Sequence, residues 1–167
     1  MDGAELITDG FGRIREVVHE VVEGLTEEDL TFRAGPDANT IAWLVWHLTR
    51  VQDDHVADAF GVHEVWAAKG WADRLGLPFD RAATGYRHTS QEVGQVRASA
   101  AELIGYHDDV HEQTVRLVAG VGAADLDRIV DEAWDPPVSL GVRLISVMSD
   151  DLQHAGQAAF IRGLLPR

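Results

Sequence analysis

The sequence predicts an all-α protein: a four-helix bundle with long crossover connections, forming a single domain over residues 1–167. Three observations carry this. Four segments of roughly 20 to 30 residues place apolar side chains at alternating steps of three and four, which gives each one buried stripe. Stretches rich in Gly and Pro separate them. And 167 residues suffice to bury one full hydrophobic core.

The first helix is expected from about Ala4 to Gly24, with Ile7, Phe11, Ile14, Val18, Val21 and Leu25 on its stripe. Gly24 stops it, and Thr26-Glu27-Glu28-Asp29 reads as a short capped turn. After Gly35-Pro36-Asp37, Asn39 or Thr40 can cap a second helix that runs to about Phe60 and ends at Gly61. Residues 61–88 show no period. They form a long connection of the kind that covers a site, with Trp66 and Trp71 packed onto the bundle. Thr89 or Ser90 is expected to cap a third helix, to about Val118, with Val93, Val96, Ala100, Leu103, His107, Val110, Thr114 and Leu117 on one stripe. Residues 120–138 make a second linker. Ser139 then caps the last helix, through about Leu164, whose stripe is Leu140, Leu144, Val147, Asp151, His154, Ala158 and Ile161. The linkers after the second and third helices are long enough for crossovers.

Composition narrows the function classes. The chain is 46% hydrophobic with a mean hydropathy of −0.11, ordinary for a soluble globular protein. It has no apolar run of membrane-spanning length, and MDGAELITDGFGR lacks the basic start and apolar centre of a signal peptide. A cytoplasmic location is therefore expected, with no membrane partner. A net charge of −14 and a single lysine, Lys69, argue against a nucleic-acid partner. There is no cysteine, which excludes disulfides, thiolate metal ligands and a Cys nucleophile. Thiol chemistry would need a thiol brought in from outside.

The chemistry-bearing residues are polar groups on apolar seams, where an unpaired carboxylate or imidazole is costly. Asp150 and His154 stand four apart on one helix, about 6 Å along its axis and on a shared face. His47, inside the apolar run IAWLVWHL, can face them from the second helix. Helix bundles hold metals with inward Asp, Glu and His of this kind, so His47, Asp150 and His154 are proposed as ligands of one divalent ion. A hydrogen-bonded His–Asp pair that merely fixes packing is the structural alternative. Asp151 competes with Asp150. The four-residue step to His154 is preferred because it rotates only about 40° around the axis, against about 60° for three residues.

His55 lies about 12 Å further along the second helix than His47, too far to share one small ion. In the run Asp53-Asp54-His55 it is expected to be solvated or at the rim of a pocket. His107 and His111 repeat the four-residue spacing and form a rival pair, with His111 read as a pocket wall. His19, His63 and His88 are expected at the surface.

WLVWHL at Trp43–Leu48 and DDLQHAGQAAFIRGLL at Asp150–Leu165 resemble the DinB-like superfamily of metalloenzymes. Its members carry one histidine early in the second helix and an acidic-x3-His or His-x3-His pair in the fourth. His47, Asp150 and His154 fall on those positions, and Gln157 on a glutamine that commonly follows. The resemblance implies a homodimer, a long crossover between the second and third helices, and zinc or nickel near one end of the bundle. It is nearest to the branch of thiol-dependent enzymes that includes mycothiol-dependent maleylpyruvate isomerase and bacillithiol transferases. Asp150 departs from the Glu or His usual there. The chain also ends soon after the last helix, without the isomerase's additional domain, so the isomerase reaction is not carried over.

The expected function is that of a metal-dependent transferase using a low-molecular-weight thiol of mycothiol type on a small-molecule substrate. In it Gln157 orients a ligand, and His111, Asp54 and His55 belong to the pocket. Two alternatives stand beside it: a metal-dependent hydrolase with hydroxide in the open position, and a non-catalytic dimeric stress-response module.

Overall fold

The computed structural model describes residues 1–166. Its main helices are α1 (Gly3–Val22), α3 (Ile41–Phe60), α7 (Ala100–Val118) and α8 (Leu140–Gly163). The short helices α2 (Glu27–Leu30), α4 (Val65–Ala68), α5 (Trp71–Leu75) and α6 (Ser90–Val93) lie in the connections, with a 3-10 turn at Ala123–Asp127. Strands β1 (Ile129–Asp131) and β2 (Val138–Ser139) form one small antiparallel pair.

Each long helix starts where a side chain satisfies its free amides. Asp2 and Ser99 do so in reciprocal boxes with Glu5 and Glu102, while Thr40 and Ser139 accept from Trp43 and Val142. The third helix departs from the sequence expectation. Thr89 caps only the single turn α6, which ends at Gly94, and the long helix begins at the Ser99–Glu102 box, its cap ten residues beyond Thr89. Val93 and Val96 are buried by the connection itself, and they fall in phase with the helix stripe, so the pattern joined two elements into one.

Contacts between helices set the topology. Arg162 donates to the Val21 carbonyl and Gly10 meets Met148, so α1 and α8 run parallel. His47 faces His154 while His55 meets Arg143, so α3 is antiparallel to α8. Thr49 pairs with His107 and Gln52 with Thr114, which makes α3 and α7 parallel neighbours. The directions are up, down, down, up, with α1 diagonal to α3 and α7 to α8. Two parallel neighbours of about 20 residues can be joined only by a connection that climbs back about 30 Å. Residues 61–99 make that climb, and this is the long crossover.

The crossover explains why α3 is so apolar. It is covered by α7, α8 and residues 61–99, so every residue from Ile41 to Arg50 is buried. Trp66 is buried against Trp46 of α3 and Trp71 against Gly105 and Tyr106 of α7, so both pack onto the bundle as expected. Among the described residues no helix is long and apolar enough to cross a membrane.

Candidate metal centre

The antiparallel contact of α3 with α8 brings His47, Asp150 and His154 together, each offering a ligand atom within 4.8 Å of the others. The rings of His47 and His154 meet edge to face with centroids 4.7 Å apart, and His154 Nε2 lies 3.6 Å from Asp150 Oδ1. Ligand atoms around a tetrahedral ion with bonds near 2.1 Å are about 3.4 Å apart. Small side-chain rotations therefore close the set. Asp151, by contrast, is fully buried in the bundle core, and neither of its oxygens has a hydrogen-bond partner among the described residues.

His47 is aimed by the crossover. Its Nδ1–H donates to the Thr84 carbonyl at 2.5 Å, which fixes the tautomer and leaves Nε2 as a lone pair. Metal-binding imidazoles are held in this way by their second nitrogen. The preceding carbonyl, Ala83, accepts from Arg50 Nε one turn below His47 on α3. Two successive carbonyls are thus pinned to two side chains of one helix. The close approach requires Gly85. Its φ of +94° disfavours any side chain, and a Cβ there would lie 2.7 Å from His47 Nδ1. Trp43 stacks on the His47 ring at 4.5 Å and donates through Nε1 to His88 Nδ1. His88, expected at the surface, instead stacks on Trp46 and fixes the same stretch of crossover.

Below this anchor lies a buried polar network. Arg50 donates to Glu64 at 2.7 Å and to the Tyr106 hydroxyl at 3.3 Å. Asp53 accepts from the Val65 and Trp66 amides and from Tyr106, so it caps α4 from inside the core. Such groups are tolerated because they pair with one another, with Arg50 Nη2 alone in this network left without a partner among the described residues. Their effect is to hold the crossover on α3.

The donor set suits a divalent cation. Burial lowers the pKa of His47, keeping the ring neutral as a ligand must be. Asp150 raises the pKa of His154. Burial alone would raise Asp150 too, but His154, His47 and His55 outweigh it and lower its pKa. His154 Nδ1 and Asp150 Oδ2 are buried without a partner among the described residues. Two imidazoles and a carboxylate, with unused lone pairs in one place, fit zinc, nickel or iron alike.

A cavity of about 480 Å³ opens beside the triad. His47 and Asp150 form part of its wall, and Asp54 and His55 belong to it, with Tyr86 and Trp134 at its loops. Gln157 lies outside that wall, lining a shallower groove with Asn39 and Phe160, although its amide is close enough to His154 to raise that pKa. His111 lies elsewhere. It is on α7, diagonal to α8, among Arg15, His19 and Asp108 of the α1–α7 contact. In the same contact Asp108 accepts from both Arg15 and His19 at 2.7 Å, so His19 is a half-buried partner and not a free surface group. His63 is exposed, as expected.

The parts missing from the sequence reading are Thr84, Gly85, Arg50 and His88. Arg50 carried a signal, a charge closing an unbroken apolar run. The other three lie where no period exists.

The family model described as mycothiol-S-transferase matches residues 7–166. A solved structure, that of a conserved protein from Enterococcus faecalis, superposes with a TM-score of 0.90 at 25% identity, covering 98% of this chain and 97% of that one. No curated protein matches. With the match spanning almost the whole chain, and the bundle and its crossover as that family resemblance implied, the chain belongs to the mycothiol S-transferase family, within the DinB-like superfamily.

Proposed function

We propose that this protein is a metal-dependent thiol S-transferase. In this reading His47, Asp150 and His154 hold one divalent ion, zinc or nickel, at the wall of the 480 Å³ cavity. The observation that carries it is the convergence of three ligand-type groups from two facing helices, one already oriented by a backbone carbonyl. Three protein ligands with an open fourth position characterise catalytic sites. An ion held there supplies Lewis acidity that favours thiolate over thiol at neutral pH.

The chain's own residues do the rest. His47 is kept neutral and aimed by Thr84, while Asp150 supplies negative charge to the site. The cavity gives room for a small electrophile beside the triad. With no cysteine in the chain, the nucleophilic sulfur must come from the substrate thiol, which family membership suggests is mycothiol. The sulfur forms a bond to the electrophilic carbon, and the leaving group departs with the displaced electron pair. The thiol proton passes to solvent.

The test combines metal analysis with conjugate formation. Protein purified without added metal is assayed for bound divalent ions, then incubated with mycothiol and an electrophile such as monobromobimane. Stoichiometric metal and catalysed adduct formation are expected. Hydrolysis of activated esters without adduct formation would favour the hydrolase. No metal uptake on titration would leave only a binding module.

A further inference from the structure

Two large aromatic side chains stand at the 480 Å³ cavity with most of their surface in solvent: Tyr86 is 75% exposed and Trp134 67%. Aromatic rings contribute most when buried, and the other four tryptophans of the chain are all buried. These two are held out by backbone that is itself fixed.

Tyr86 lies in a turn closed by the His88 amide, which donates to the Gly85 carbonyl at 3.1 Å. Both ends of the turn are tied to α3. Thr84 is held through its carbonyl by His47, and His88 through its ring by the Trp43 indole. Gly85 and Arg87 flank the tyrosine with φ of +94° and +62°, and among the described residues Arg87 alone has a positive φ without being glycine. Left-handed backbone at an arginine costs free energy that the surrounding structure must offset. The result is a tyrosine turned outward, its ring still largely exposed although the Arg87 guanidinium lies 5.2 Å from the ring centre.

Trp134 belongs to the loop between β1 and β2. At the base of that loop the Leu140 amide donates to the Arg128 carbonyl at 2.8 Å, and Arg143 of α8 holds Asp131 at 2.6 Å. The Ala133 amide, Arg143 and the Trp134 indole N–H all lower the Asp131 pKa. That N–H is therefore turned to Asp131, and what Trp134 offers the cavity is its ring. Val51 and Val147 add apolar surface to the same wall, which His47 and Asp150 also form. One cavity thus joins the metal centre to aromatic and aliphatic faces. A ring that stacks on a fixed aromatic side chain gains more than its buried area gives, and side chains already held in place lose little freedom on binding.

We infer that Tyr86 and Trp134 form the subsite for the electrophile and select one that carries a planar aromatic ring. The inference rests on the transferase reading and adds the class of its second substrate. In the transfer step the thiol sulfur bonds to the electrophilic carbon, the leaving group departs with the electron pair of the broken bond, and the thiol proton passes to solvent.

The experiment compares iodoacetamide with its N-phenyl and N-cyclohexyl derivatives, using zinc-loaded protein and mycothiol. All three share the reacting carbon and the iodide leaving group. The wild type is expected to favour the phenyl compound over the other two in kcat/KM, beyond any preference of the uncatalysed reaction. Trp134→Ala and Tyr86→Ala each cut that preference about two- to tenfold, the range for one aromatic contact, mainly through KM. Trp134→Phe and Tyr86→Phe keep most of it. Binding is read separately by calorimetric titration of acetanilide, which has no leaving group and should bind the wild type more tightly than N-cyclohexylacetamide does. Melting curves establish that each variant is folded. A wild type that transfers without preferring the phenyl compound overturns the inference and leaves the transferase reading standing, and this is read without any variant. Equal losses for all three iodoacetamides in the alanine variants do the same. Acetanilide bound through Trp134 and Tyr86, with no transfer to any of the three, overturns the transferase reading and keeps the aromatic subsite. Neither transfer nor acetanilide binding overturns both.

Discussion

Substituting Gly85 by alanine tests whether the crossover sets the metal centre. The perturbation is one methyl group, and the structure says where it would go. The new Cβ would stand 2.7 Å from His47 Nδ1, 3.1 Å from the Trp46 ring and 3.2 Å from the Trp43 ring. Ordinary carbon contacts begin at about 3.5 Å, so the loop must retreat by something under an ångström. The Thr84 carbonyl is the adjacent group, and its 2.5 Å bond to His47 lengthens by a similar amount. Loss of most of that bond costs about 1 kcal/mol. Holding an alanine at φ +94° adds about 1–3 kcal/mol. Together these amount to about 2–4 kcal/mol, or a fall in Tm of about 5–15 °C for a chain of this size. The metal effect is separate. Removing the outer partner of a ligating histidine costs about 10–100-fold in affinity. Differential scanning calorimetry and a competitive zinc titration read the two quantities. A Gly85→Ala protein that melts within a degree of the wild type and binds metal as tightly would refute the idea that this loop orients His47.

Three further perturbations probe the centre and its support. His154→Ala removes a proposed ligand and should lower metal affinity by more than the roughly hundredfold ceiling for outer partners; full-affinity binding in competitive titration would eliminate the triad. Asp53→Ala strips the α4 amides and Tyr106 of their acceptor and leaves Arg50 short of a buried counter-charge, so urea unfolding should show a loss of about 3–5 kcal/mol. A loss under 1 kcal/mol would mean that the network does not hold the crossover. The third is a pH effect at His107, fully buried with Nδ1 on Thr49, where burial pushes the pKa down to about 3. Its folded pKa is below the unfolded value near 6.5, so the stability it confers is complete above pH 6.5 and is lost as pH falls towards 3. The slope is about 1.4 kcal/mol per pH unit in that window. His107→Gln should flatten this part of the acid limb, and an unchanged limb in pH-dependent unfolding would assign the slope to other groups.

Periodicity resolved four helices, three of them to within two residues of their ends, because caps and stripes are local properties of the chain. It failed between Thr89 and Ser99 for the same reason: Val93 and Val96 kept the phase of a helix that had not begun. The contrast within the site has the same origin. His47, Asp150 and His154 could be grouped from spacing and apolar context, whereas Asp54 and His55 could be assigned no more than a rim position. His111 fitted the spacing rule as well as His154 does. The tertiary arrangement alone put it against α1, away from the cavity.

The sequence by itself determined the four long helices, most of the buried stripe of each, and the set of polar residues that had to be explained on those stripes. It also required that any thiol come from outside, since the chain has no cysteine. Tertiary structure decided which of those polar residues meet. It turned Asp150 towards His47 and Asp151 into the core, and it laid the Thr84 carbonyl on His47 from 37 residues away. The physical reason is one of range. Helix faces follow from bonds between residues three and four apart, but the crossover has no period, and its position depends on Arg50, Asp53 and Gly85 acting across the fold.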